Sequence, residues 1–354
     1  MAGGIGSRFW PMSRKDMPKQ FLDILGTGRT LLQQAFDRFS KVIPTENFYV
    51  VTSDDYREMV KQQLPELTYN QILGEPLRRN TAPCIAYAAN KIKKINPNAN
   101  LIIAPSDHLI LKEEEFLHQI SKGLDFVAHN RALLTLGIKP GRPETGYGYI
   151  QVGEKTGYKD FDNLHQVKTF TEKPNLQMAE IFVESGEFFW NSDIFLWSLP
   201  TILRAFDAHL SEVAVLFSQG EHLYNTPNEK AFINKIYSEC MGISIDYGIM
   251  EKSDNVYVLT ADFGWSDLGT WGSLYEKQNK DEFDNVITGE KVLSYNNRNC
   301  IVKIPNDRIA VLQGLEGYIV VESNNTLLVC RREDEQMIRQ YVNDVQLKFG
   351  PEFT

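Results

Sequence analysis

Short β-branched segments alternate with helical patterns through the first part of this chain. The strand patterns cover residues 48–52, 101–104 and 133–138, and the helical patterns begin near residues 54 and 82 and cover residues 113–129. This alternation is typical of an α/β fold, in which helices flank both faces of a mixed, mostly parallel sheet. In such sheets, ligands bind at the carboxyl ends of the strands.

The pattern becomes mixed between residues 140 and 270. Residues 148–152 and 167–172 have the pattern of strands, whereas residues 176–184 and 199–206 have that of helices. We expect this region to extend the sheet and to carry a substrate pocket.

After residue 285 the pattern changes to short strands separated by asparagine-rich turns. The strand patterns cover residues 292–295, 300–304, 309–312, 318–322 and 326–330. A helical pattern follows over residues 333–345. The sequence therefore predicts two domains, a large one over residues 1–284 and a small β-rich module with a terminal helix over residues 285–354.

The composition is that of an ordinary globular protein with an acidic balance. Hydrophobic residues make up 42% and charged residues 23% of the 354 residues, and the formal net charge is −9. This argues against a nucleic-acid partner, because binding to a phosphate backbone needs a basic surface. Any anionic ligand must instead meet a local cluster of basic side chains.

The cysteines give no sign of a metal or redox site. Cys84, Cys240, Cys300 and Cys330 are far apart and form no Cys-x-x-Cys pair, so neither zinc nor a redox dithiol is expected. No apolar run approaches the ~18 residues of a membrane span, and no signal peptide precedes the first motif. We therefore expect a cytoplasmic protein with buried free thiols and no membrane partner.

The chain starts with a glycine-rich segment, Ala2-Gly3-Gly4-Ile5-Gly6-Ser7-Arg8. Glycines let backbone N–H groups approach phosphates, and Arg8 adds a forked cation. The dinucleotide fingerprint would require glycine where Phe9 stands, and a P-loop would require Gly-Lys-Ser/Thr. A simple glycine turn is the alternative. Because phosphate loops normally follow a buried strand, we expect the first strand to be missing from this numbering.

Lys19 and Asp107 are the next candidates for binding phosphate and metal. Lys19, in Pro18-Lys19-Gln20-Phe21, can reach the same anion as a point charge, although a lone surface lysine is usually only solvated. Asp107 follows the strand pattern at residues 101–104. A carboxylate at the carboxyl end of a strand suits Mg²⁺ that bridges a triphosphate, although an aspartate there can also cap the next turn.

Together these motifs resemble those of a known family. Gly-Gly-x-Gly-x-Arg-x-Trp-Pro-x-Ser-Arg, from Gly3 to Arg14, followed by Pro-Lys-Gln-Phe, is similar to the signature of mannose-1-phosphate guanylyltransferases, within the wider sugar-nucleotide pyrophosphorylases. Further segments match in order as far as Trp271. The resemblance implies a Rossmann-like nucleotide-diphospho-sugar transferase fold with a short left-handed β-helix-like module at its end.

The resemblance also implies a reaction and a nucleotide site. We expect GMP to be transferred from GTP to α-D-mannose 1-phosphate, giving GDP-mannose and pyrophosphate. The candidate nucleotide-binding residues are Ala2, Gly3, Gly4, Gly6, Ser7, Glu75, Arg79, Asn80 and Thr81. A carboxylate such as Glu75 can accept the N1–H and N2–H donors of guanine. Without the resemblance, the later residues simply predict a helix with Thr81 as its N-cap.

Two distant aspartates are expected to hold the catalytic Mg²⁺. The resemblance pairs Asp107 with Asp267, which lies in Phe263-Gly264-Trp265-Ser266-Asp267-Leu268-Gly269 and could equally be a turn aspartate. With Arg8 and Lys19, these are the candidate catalytic residues. They would position the reactants and neutralise charge during in-line attack of the sugar phosphate on the α-phosphorus of GTP.

Three segments are candidates for binding the sugar 1-phosphate. The candidate residues are Tyr147, Gly148, Glu172, Lys173 and Asn191. Glu172 can accept sugar hydroxyls and Lys173 can neutralise the phosphate, although the two could also form a surface ion pair without function. Asn191 lies in Trp190-Asn191-Ser192-Asp193, which is similar to a Trp-Asn-Ser-Gly segment of the family. Asp193 therefore adds bulk and negative charge where the family has glycine.

Two other functions fit the same residues. The enzyme could act on another sugar 1-phosphate or another nucleotide, or the chain could be a catalytically silent regulatory subunit that binds a nucleotide sugar without turnover. The chain stops soon after the β-rich module, so we expect one activity without the isomerase half of some relatives. The β-helix of this family often supports dimers, so a homodimer is a further expectation.

Overall fold

The computed structural model describes residues 1–158 and 161–354 of the chain. These residues form two compact units, and the chain passes between them several times. The first unit comprises Met1–Gly3, Phe36–Ser106 and Ile110–Trp265, and the second comprises Gly4–Ala35, Asp107–Leu109 and Ser266–Thr354. The domain boundary at residue 284 stays a prediction, because it assumes that each domain is continuous in sequence.

The elements follow one another in α/β order before a run of short strands. The strands are β1 (Val50–Ser53), β2 (Ile72–Glu75), β3 (Asn100–Ile103), β4 (Leu109–Ile110), β5 (Leu133–Ile138), β6 (Gly148–Lys155), β7 (Leu164–Glu172), β8 (Phe188–Ser198), β9 (Val256–Ala261), β10 (Trp265–Ser266), β11 (Val286–Thr288), β12 (Val292–Tyr295), β13 (Ile301–Lys303), β14 (Ala310–Gln313), β15 (Tyr318–Ser323) and β16 (Thr326–Arg331). The helices are α1 (Leu31–Phe39), α2 (Arg57–Gln63), α3 (Thr81–Lys93), α4 (Glu113–His129), α5 (Leu176–Ser185), α6 (Leu199–His209), α7 (Ser211–Ser218), α8 (Glu229–Glu239), α9 (Ile245–Gly248), α10 (Trp271–Tyr275) and α11 (Ile338–Phe349). None of the described helices is long and apolar enough to cross a membrane.

A six-stranded sheet in the order β3–β8–β5–β9–β7–β6 is the centre of the first unit. The mixed α/β architecture is confirmed, but the expectation of a mostly parallel sheet is wrong for this sheet. Among its described strands only β5 and β9 pair in parallel, whereas β8 is antiparallel to β3, β5 and β6, and β7 to β6 and β9. For β6 and β7 the reason is that they follow one another in sequence through a connection too short for the crossover that parallel pairing needs.

Alternating side chains of the sheet supply two hydrophobic cores. In β8, Phe195 and Trp197 belong to one core, whereas Ile194 and Leu196 belong to the other. Helices α3, α6, α7 and α8 complete the first core, and α4 and α5 complete the second. Because successive residues of a strand point to opposite faces, helices cover this sheet on both sides.

The first two residues lie against the end of β1. The Ala2 backbone N–H donates to the Val51 carbonyl at 2.8 Å, and the Thr52 hydroxyl donates to the Ala2 carbonyl at 2.8 Å. The amino group of Met1 donates to the Ala104 carbonyl at 2.8 Å. These bonds fix the start of the glycine-rich segment between β1 and the residues that follow β3.

Parallel short strands stack in the second unit. β11, β13 and β15 pair in parallel and in register, as do β12 and β14, and β16 closes the stack antiparallel to β15. This is the predicted β-helix-like module. Its turns contain Asn296, Asn299, Asn324 and Asn325 at positive φ, a conformation that asparagine tolerates better than most residues. The predicted terminal helix begins as a 3₁₀ turn over Arg332–Met337 and continues as α11.

Candidate active site

The glycine-rich segment of the second unit folds back over Lys19. Gly6 has φ 71°, and a Cβ at this position would lie 2.5 Å from the Lys19 Cβ. Only glycine therefore fits the turn. The following residues Ser7–Phe9 form a 3₁₀ turn, and the Phe9 side chain is fully buried in the core of this unit together with Trp271 and Ile338. The buried phenylalanine anchors the turn that carries Ser7 and Arg8.

Arg8 has a basic neighbour within the same unit. Its guanidinium forms no ion pair or hydrogen bond with the residues that the structure describes, whereas Arg339 of α11 lies close enough to interact with it. Burial lowers the pKa of Arg339, and the positive charge of Arg8 lowers it further. Two neighbouring guanidinium groups without a counter-charge produce a local positive potential in an acidic protein, which is suited to an anion.

The Lys19 ammonium joins the two predicted metal-binding aspartates. Its Nζ lies 2.9 Å from Asp107 Oδ2 and donates to the backbone carbonyls of Asp267 and Leu268, each at 2.9 Å. Both aspartates therefore lie against one buried nitrogen, although 160 residues separate them in sequence. An ammonium has three N–H donors, and all three have acceptors here, so none remains for a phosphate.

Asp267 is held by a tight turn at the end of β10. Its Oδ1 accepts the Gly269 backbone N–H at 2.8 Å, and the Leu268 backbone N–H donates to the Ser266 hydroxyl at 3.2 Å. Leu268 itself has φ 44°, a strained conformation for leucine, although its side chain is fully buried. A Cβ on Gly269 would overlap Asp267 Oδ2. The turn thus fixes the Asp267 carboxylate at the cost of local strain.

Asp107 is suited to a divalent cation. Burial would raise the pKa of Asp107, but the Lys19 ammonium and, to a lesser extent, His108 hold it below its ordinary value, so the carboxyl is ionised at neutral pH. Its side chain is 30% exposed, and within the described residues its second oxygen accepts no hydrogen bond. No group of three or more His, Cys, Asp or Glu residues of the described chain could hold a metal alone. Mg²⁺ needs only one or two carboxylates where substrate phosphates and water complete its shell, so this pair fits.

In the first unit, Glu75 ends β2 as a buried carboxyl. The Tyr237 hydroxyl donates to Glu75 Oε1 at 3.0 Å, and a Cβ on Gly3 would lie 3.6 Å from Oε2. Burial raises the pKa of Glu75 to about 7, and Tyr237, the Met1 amino group and Arg78 oppose the shift only in part. Two of the predicted nucleotide residues, Gly3 and Glu75, are thus neighbours.

The segment from Arg79 to Thr81 is attached to the last turn of α8 and to the start of α9. The Arg79 Nε donates to the Tyr237 carbonyl at 3.1 Å, and the Thr81 hydroxyl accepts the Ile245 backbone N–H at 2.8 Å. The prediction that Thr81 is an N-cap is wrong, because Asn80 takes that position with φ 63° and Thr81 is the first helical residue. The Thr81 hydroxyl instead accepts the backbone N–H of the first residue of α9.

The predicted sugar-phosphate residues converge on the start of β6, the end of β7 and the interior of β8. A Cβ on Gly148 would lie 3.3 Å from Glu172 Oε1 and 3.4 Å from the Asn191 Cβ, so the absence of a side chain lets these residues meet. The Lys173 backbone N–H donates to the Tyr147 carbonyl at 3.2 Å, and its Nζ lies 3.0 Å from Glu172 Oε2. Burial would lower the pKa of Lys173, but Glu172 raises it above its ordinary value.

The backbone conformation at Asp193 explains why the family has glycine at this position. Its φ is 55°, a region that glycine adopts without strain and that aspartate tolerates. Asn191 stabilises this conformation, because its Nδ2 donates to Asp193 Oδ1 at 3.0 Å and its Oδ1 accepts the Asp193 backbone N–H at 3.2 Å. Local hydrogen bonds thus compensate for the missing glycine.

Sequence reasoning missed two residues of these clusters. Asp246, in α9, accepts the second Nδ2 hydrogen of Asn191 at 2.9 Å, and Arg339 neighbours Arg8. Neither residue lies in a glycine-rich or otherwise marked segment. The signal that could have found Asp246 is an acidic residue in a short apolar stretch, since such a residue is rarely buried without a partner.

Comparison with known proteins identifies the family. A family model described as nucleotidyl transferase matches residues 1–283, and one described as MannoseP isomerase/GMP-like beta-helix domain matches residues 290–345. A mannose-1-phosphate guanylyltransferase of Escherichia coli is 35% identical over 98% of this chain and 75% of its own length. That of Klebsiella pneumoniae is 35% identical over 97% of this chain and 72% of its own length.

A solved structure supports the same assignment. The crystal structure of a protein from Thermus thermophilus, named mannose-1-phosphate geranyltransferase, is 28% identical, has a TM-score of 0.86 and matches 98% of both chains. The resemblance inferred from the motifs and the predicted nucleotidyltransferase activity are confirmed. This chain is an enzyme that belongs to the mannose-1-phosphate guanylyltransferase family of nucleotidyl transferases.

Proposed function

We propose that this enzyme transfers GMP from GTP to α-D-mannose 1-phosphate, giving GDP-mannose and pyrophosphate. The observation that carries the proposal is the contact of Asp107 and the Asp267 backbone with one buried ammonium, that of Lys19, in a chain of this family. The relatives from Escherichia coli and Klebsiella pneumoniae, both named mannose-1-phosphate guanylyltransferase, support the choice of substrates.

Nucleotidyltransferases of this family generally use a divalent metal, and we assign Mg²⁺ to Asp107 and Asp267. When bound, the ion would neutralise charge on the triphosphate and the leaving pyrophosphate. Lys19 acts as a positioning residue, because it holds the two aspartates together rather than contacting a phosphate. The oxygen of the sugar phosphate is already ionised at neutral pH, so no general base is required for its in-line attack.

The candidate nucleotide-binding residues form two sets, each within one unit. Gly4, Gly6, Ser7 and Arg8 bind phosphate through backbone N–H groups and the unpaired guanidinium. Ala2, Gly3, Glu75, Arg79, Asn80 and Thr81 form the second set. Glu75 is the specificity residue of this set, because its carboxylate can accept the N1–H and N2–H donors that guanine has and adenine lacks.

The sugar 1-phosphate is assigned to the cluster of Tyr147, Gly148, Glu172, Lys173 and Asn191. Lys173 neutralises the phosphate, and Glu172 accepts a sugar hydroxyl. The identity of the sugar depends on Asp193, whose carboxylate interacts with Lys173. A weaker positive field at Lys173 is the expected consequence.

A matrix of nucleotides and sugar 1-phosphates tests this function. Pyrophosphate release is measured with Mg²⁺ for GTP, ATP, UTP and dTTP against the 1-phosphates of mannose, glucose, galactose and a heptose. We expect the highest kcat/KM for GTP with mannose 1-phosphate. A different preferred pair would reassign the substrates, and tight binding of GDP-mannose without any turnover would identify a regulatory subunit.

Two further expectations, on the compartment and on the oligomeric state, belong to the same proposal. The four cysteines are buried free thiols, which suits the reducing cytoplasm. The β-helix-like module is the expected contact surface of a homodimer, because Leu293 and Val311 are exposed register partners on β12 and β14. Sedimentation of the purified enzyme measures that oligomeric state directly.

A further inference from the structure

Asn191 has no hydrogen-bonding group left for a substrate. Its Nδ2 donates to Asp193 and Asp246, and its Oδ1 accepts from the Thr135 hydroxyl at 3.3 Å and from the Asp193 backbone N–H. An asparagine amide has two donor hydrogens and an oxygen with two lone pairs, so this side chain is fully used. It is also buried, with only 4% of its surface exposed. The predicted direct contact of Asn191 with the sugar therefore has to be made by a neighbour.

Asp246 is the neighbour whose carboxylate can still accept hydrogen bonds. The residue is 7% exposed, and Asn191 donates to its Oδ1. Apart from a hydrogen bond from its own backbone N–H, the carboxylate accepts nothing else from the described residues. A carboxylate has about four lone-pair positions, and burying it with most of them unused costs free energy unless a ligand completes them.

The backbone that carries Asp246 is rigid. The Ile245 N–H donates to the Thr81 hydroxyl at 2.8 Å, and the Ser244 side chain accepts the Tyr247 N–H at 3.3 Å. The preceding residue Ile243 exchanges backbone hydrogen bonds with Arg79 and Ala82, each at 3.1 Å. A side chain on such a segment keeps its direction, which a specificity residue requires.

The charges around Asp246 indicate which part of a sugar phosphate it can bind. Glu172, Asp193 and Glu251 are acidic neighbours in the same cluster, and Lys173 is the cation of the cluster. Burial, together with the charge of Glu172, raises the pKa of Asp246 to about 6, so it is ionised at neutral pH. A carboxylate in this environment repels a phosphate but accepts the O–H of a hydroxyl.

We infer that Asp246, oriented by Asn191, accepts a hydrogen bond from one hydroxyl of the hexose 1-phosphate and determines sugar specificity. This inference rests on the proposed function, because it assumes that the cluster of Gly148, Glu172 and Lys173 binds the sugar. Asn191 then acts as a positioning residue. The choice of hexose depends on a carboxylate outside every motif that marks the family in this sequence.

Single-hydroxyl deletions in the substrate test the inference. Steady-state kinetics with GTP compare mannose 1-phosphate with its 2-, 3-, 4- and 6-deoxy analogues for the wild type, Asp246→Ala and Asp246→Asn. We expect Asp246→Ala to raise KM for mannose 1-phosphate about tenfold or more and to leave KM for GTP unchanged. With the wild type, one deoxy analogue should have about the same KM as mannose 1-phosphate has with Asp246→Ala. For this analogue alone, the substitution Asp246→Ala should cause no further increase in KM.

Asp254→Ala is the matched control, because Asp254 is an exposed aspartate of the same unit and is not among the groups that interact with Asp246 or Lys173. It should leave every KM unchanged. The inference would be overturned if Asp246→Ala raised KM by the same factor for all analogues, or if it left KM for mannose 1-phosphate unchanged. If Asp246→Ala does not fold, the isosteric Asp246→Asn decides by the same comparison. Absence of wild-type turnover with mannose 1-phosphate would instead refute the proposed function.

Discussion

Glu75 and Asp246 are acids that the fold keeps largely out of water. The two residues are 8% and 7% exposed, and burial raises their pKa values to about 7 and about 6. The unfolded chain releases these protons at lower pH than the folded protein does. Between about pH 4 and pH 7 the folded state therefore binds more protons, and stability falls as the pH rises through this window.

Glu75→Gln should remove the part of this dependence that Glu75 contributes, because a neutral amide of the same shape has no ionisation cost. From pH 5 to pH 8 the unfolding free energy of the wild type should fall by about 2.5 kcal/mol more than that of the variant. Urea unfolding at four pH values measures this difference in free energy, and a substitution of the exposed Glu114, Glu114→Gln, is the control. Parallel curves for wild type and Glu75→Gln would contradict the burial of an ionisable group.

Single residues show why part of the site could be predicted and part could not. The residues Arg8, Lys19, Asp107 and Asp267 lie in segments whose glycines, prolines and strand endings are visible in the sequence. The partners of Lys19 are not visible, because a hydrogen bond to the carbonyls of Asp267 and Leu268 depends on tertiary folding. For the same reason Lys19 was predicted to contact phosphate.

The turn after β10 is an element whose shape the site requires. Leu268 at positive φ and the small Gly269 together leave room for the Asp267 carboxylate. The hydrophobic burial of Leu268 offsets the cost of its conformation, which is about 1–3 kcal/mol. Strain of this kind at a functional turn depends on the surrounding core.

Gly269→Ala should displace the Asp267 carboxylate, because the new methyl group would overlap Oδ2. We expect kcat to fall by about tenfold or more while the thermal midpoint changes by only a few degrees. Gly141→Ala is the control, since nothing lies within 4 Å of a Cβ at that position. Full activity of Gly269→Ala would show that the position of this carboxylate does not matter.

The elements that the sequence predicted best are those with an uninterrupted pattern. Helix α4 and strand β5 begin and end where their periodicity does. Strand β8 was not predicted, because its centre is the polar run Asn191-Ser192-Asp193. Hydrogen bonds with Thr135, Leu136 and Asp246 satisfy that run in the folded sheet. A polar segment in a buried strand is recognisable only once its partners are known.

On the scale of the molecule, Arg14 connects the glycine-rich segment to the β-helix-like module within the second unit. Its guanidinium donates to the Pro11 carbonyl at 3.1 Å, to the Ser323 carbonyl at 3.0 Å and to the Thr326 hydroxyl at 2.8 Å. Further acceptors are the carbonyls of Asn324 and Glu352. One side chain therefore couples the order of the N-terminal turn to the presence of the module.

Arg14→Lys should weaken this connection, because a single ammonium cannot replace a planar guanidinium that donates hydrogen bonds to five acceptors. We expect the unfolding free energy to decrease by about 2 kcal/mol and KM for GTP to rise. Urea unfolding and steady-state kinetics measure the two effects, with the exposed Arg131→Lys as control. A stable variant with normal KM would show that the module does not support the glycine-rich turn.

Pyrophosphate release by Asp107→Asn and Asp267→Asn, titrated with Mg²⁺, tests the central claim most directly. The account predicts that each variant remains folded and loses at least about 100-fold in kcat at saturating GTP and mannose 1-phosphate. Asp107→Asn should also unfold at lower denaturant, because the buried Lys19 ammonium loses its counter-charge. The exposed Asp262→Asn should behave as the wild type does. Wild-type rates and wild-type Mg²⁺ dependence in both variants would contradict the joint role of these two aspartates.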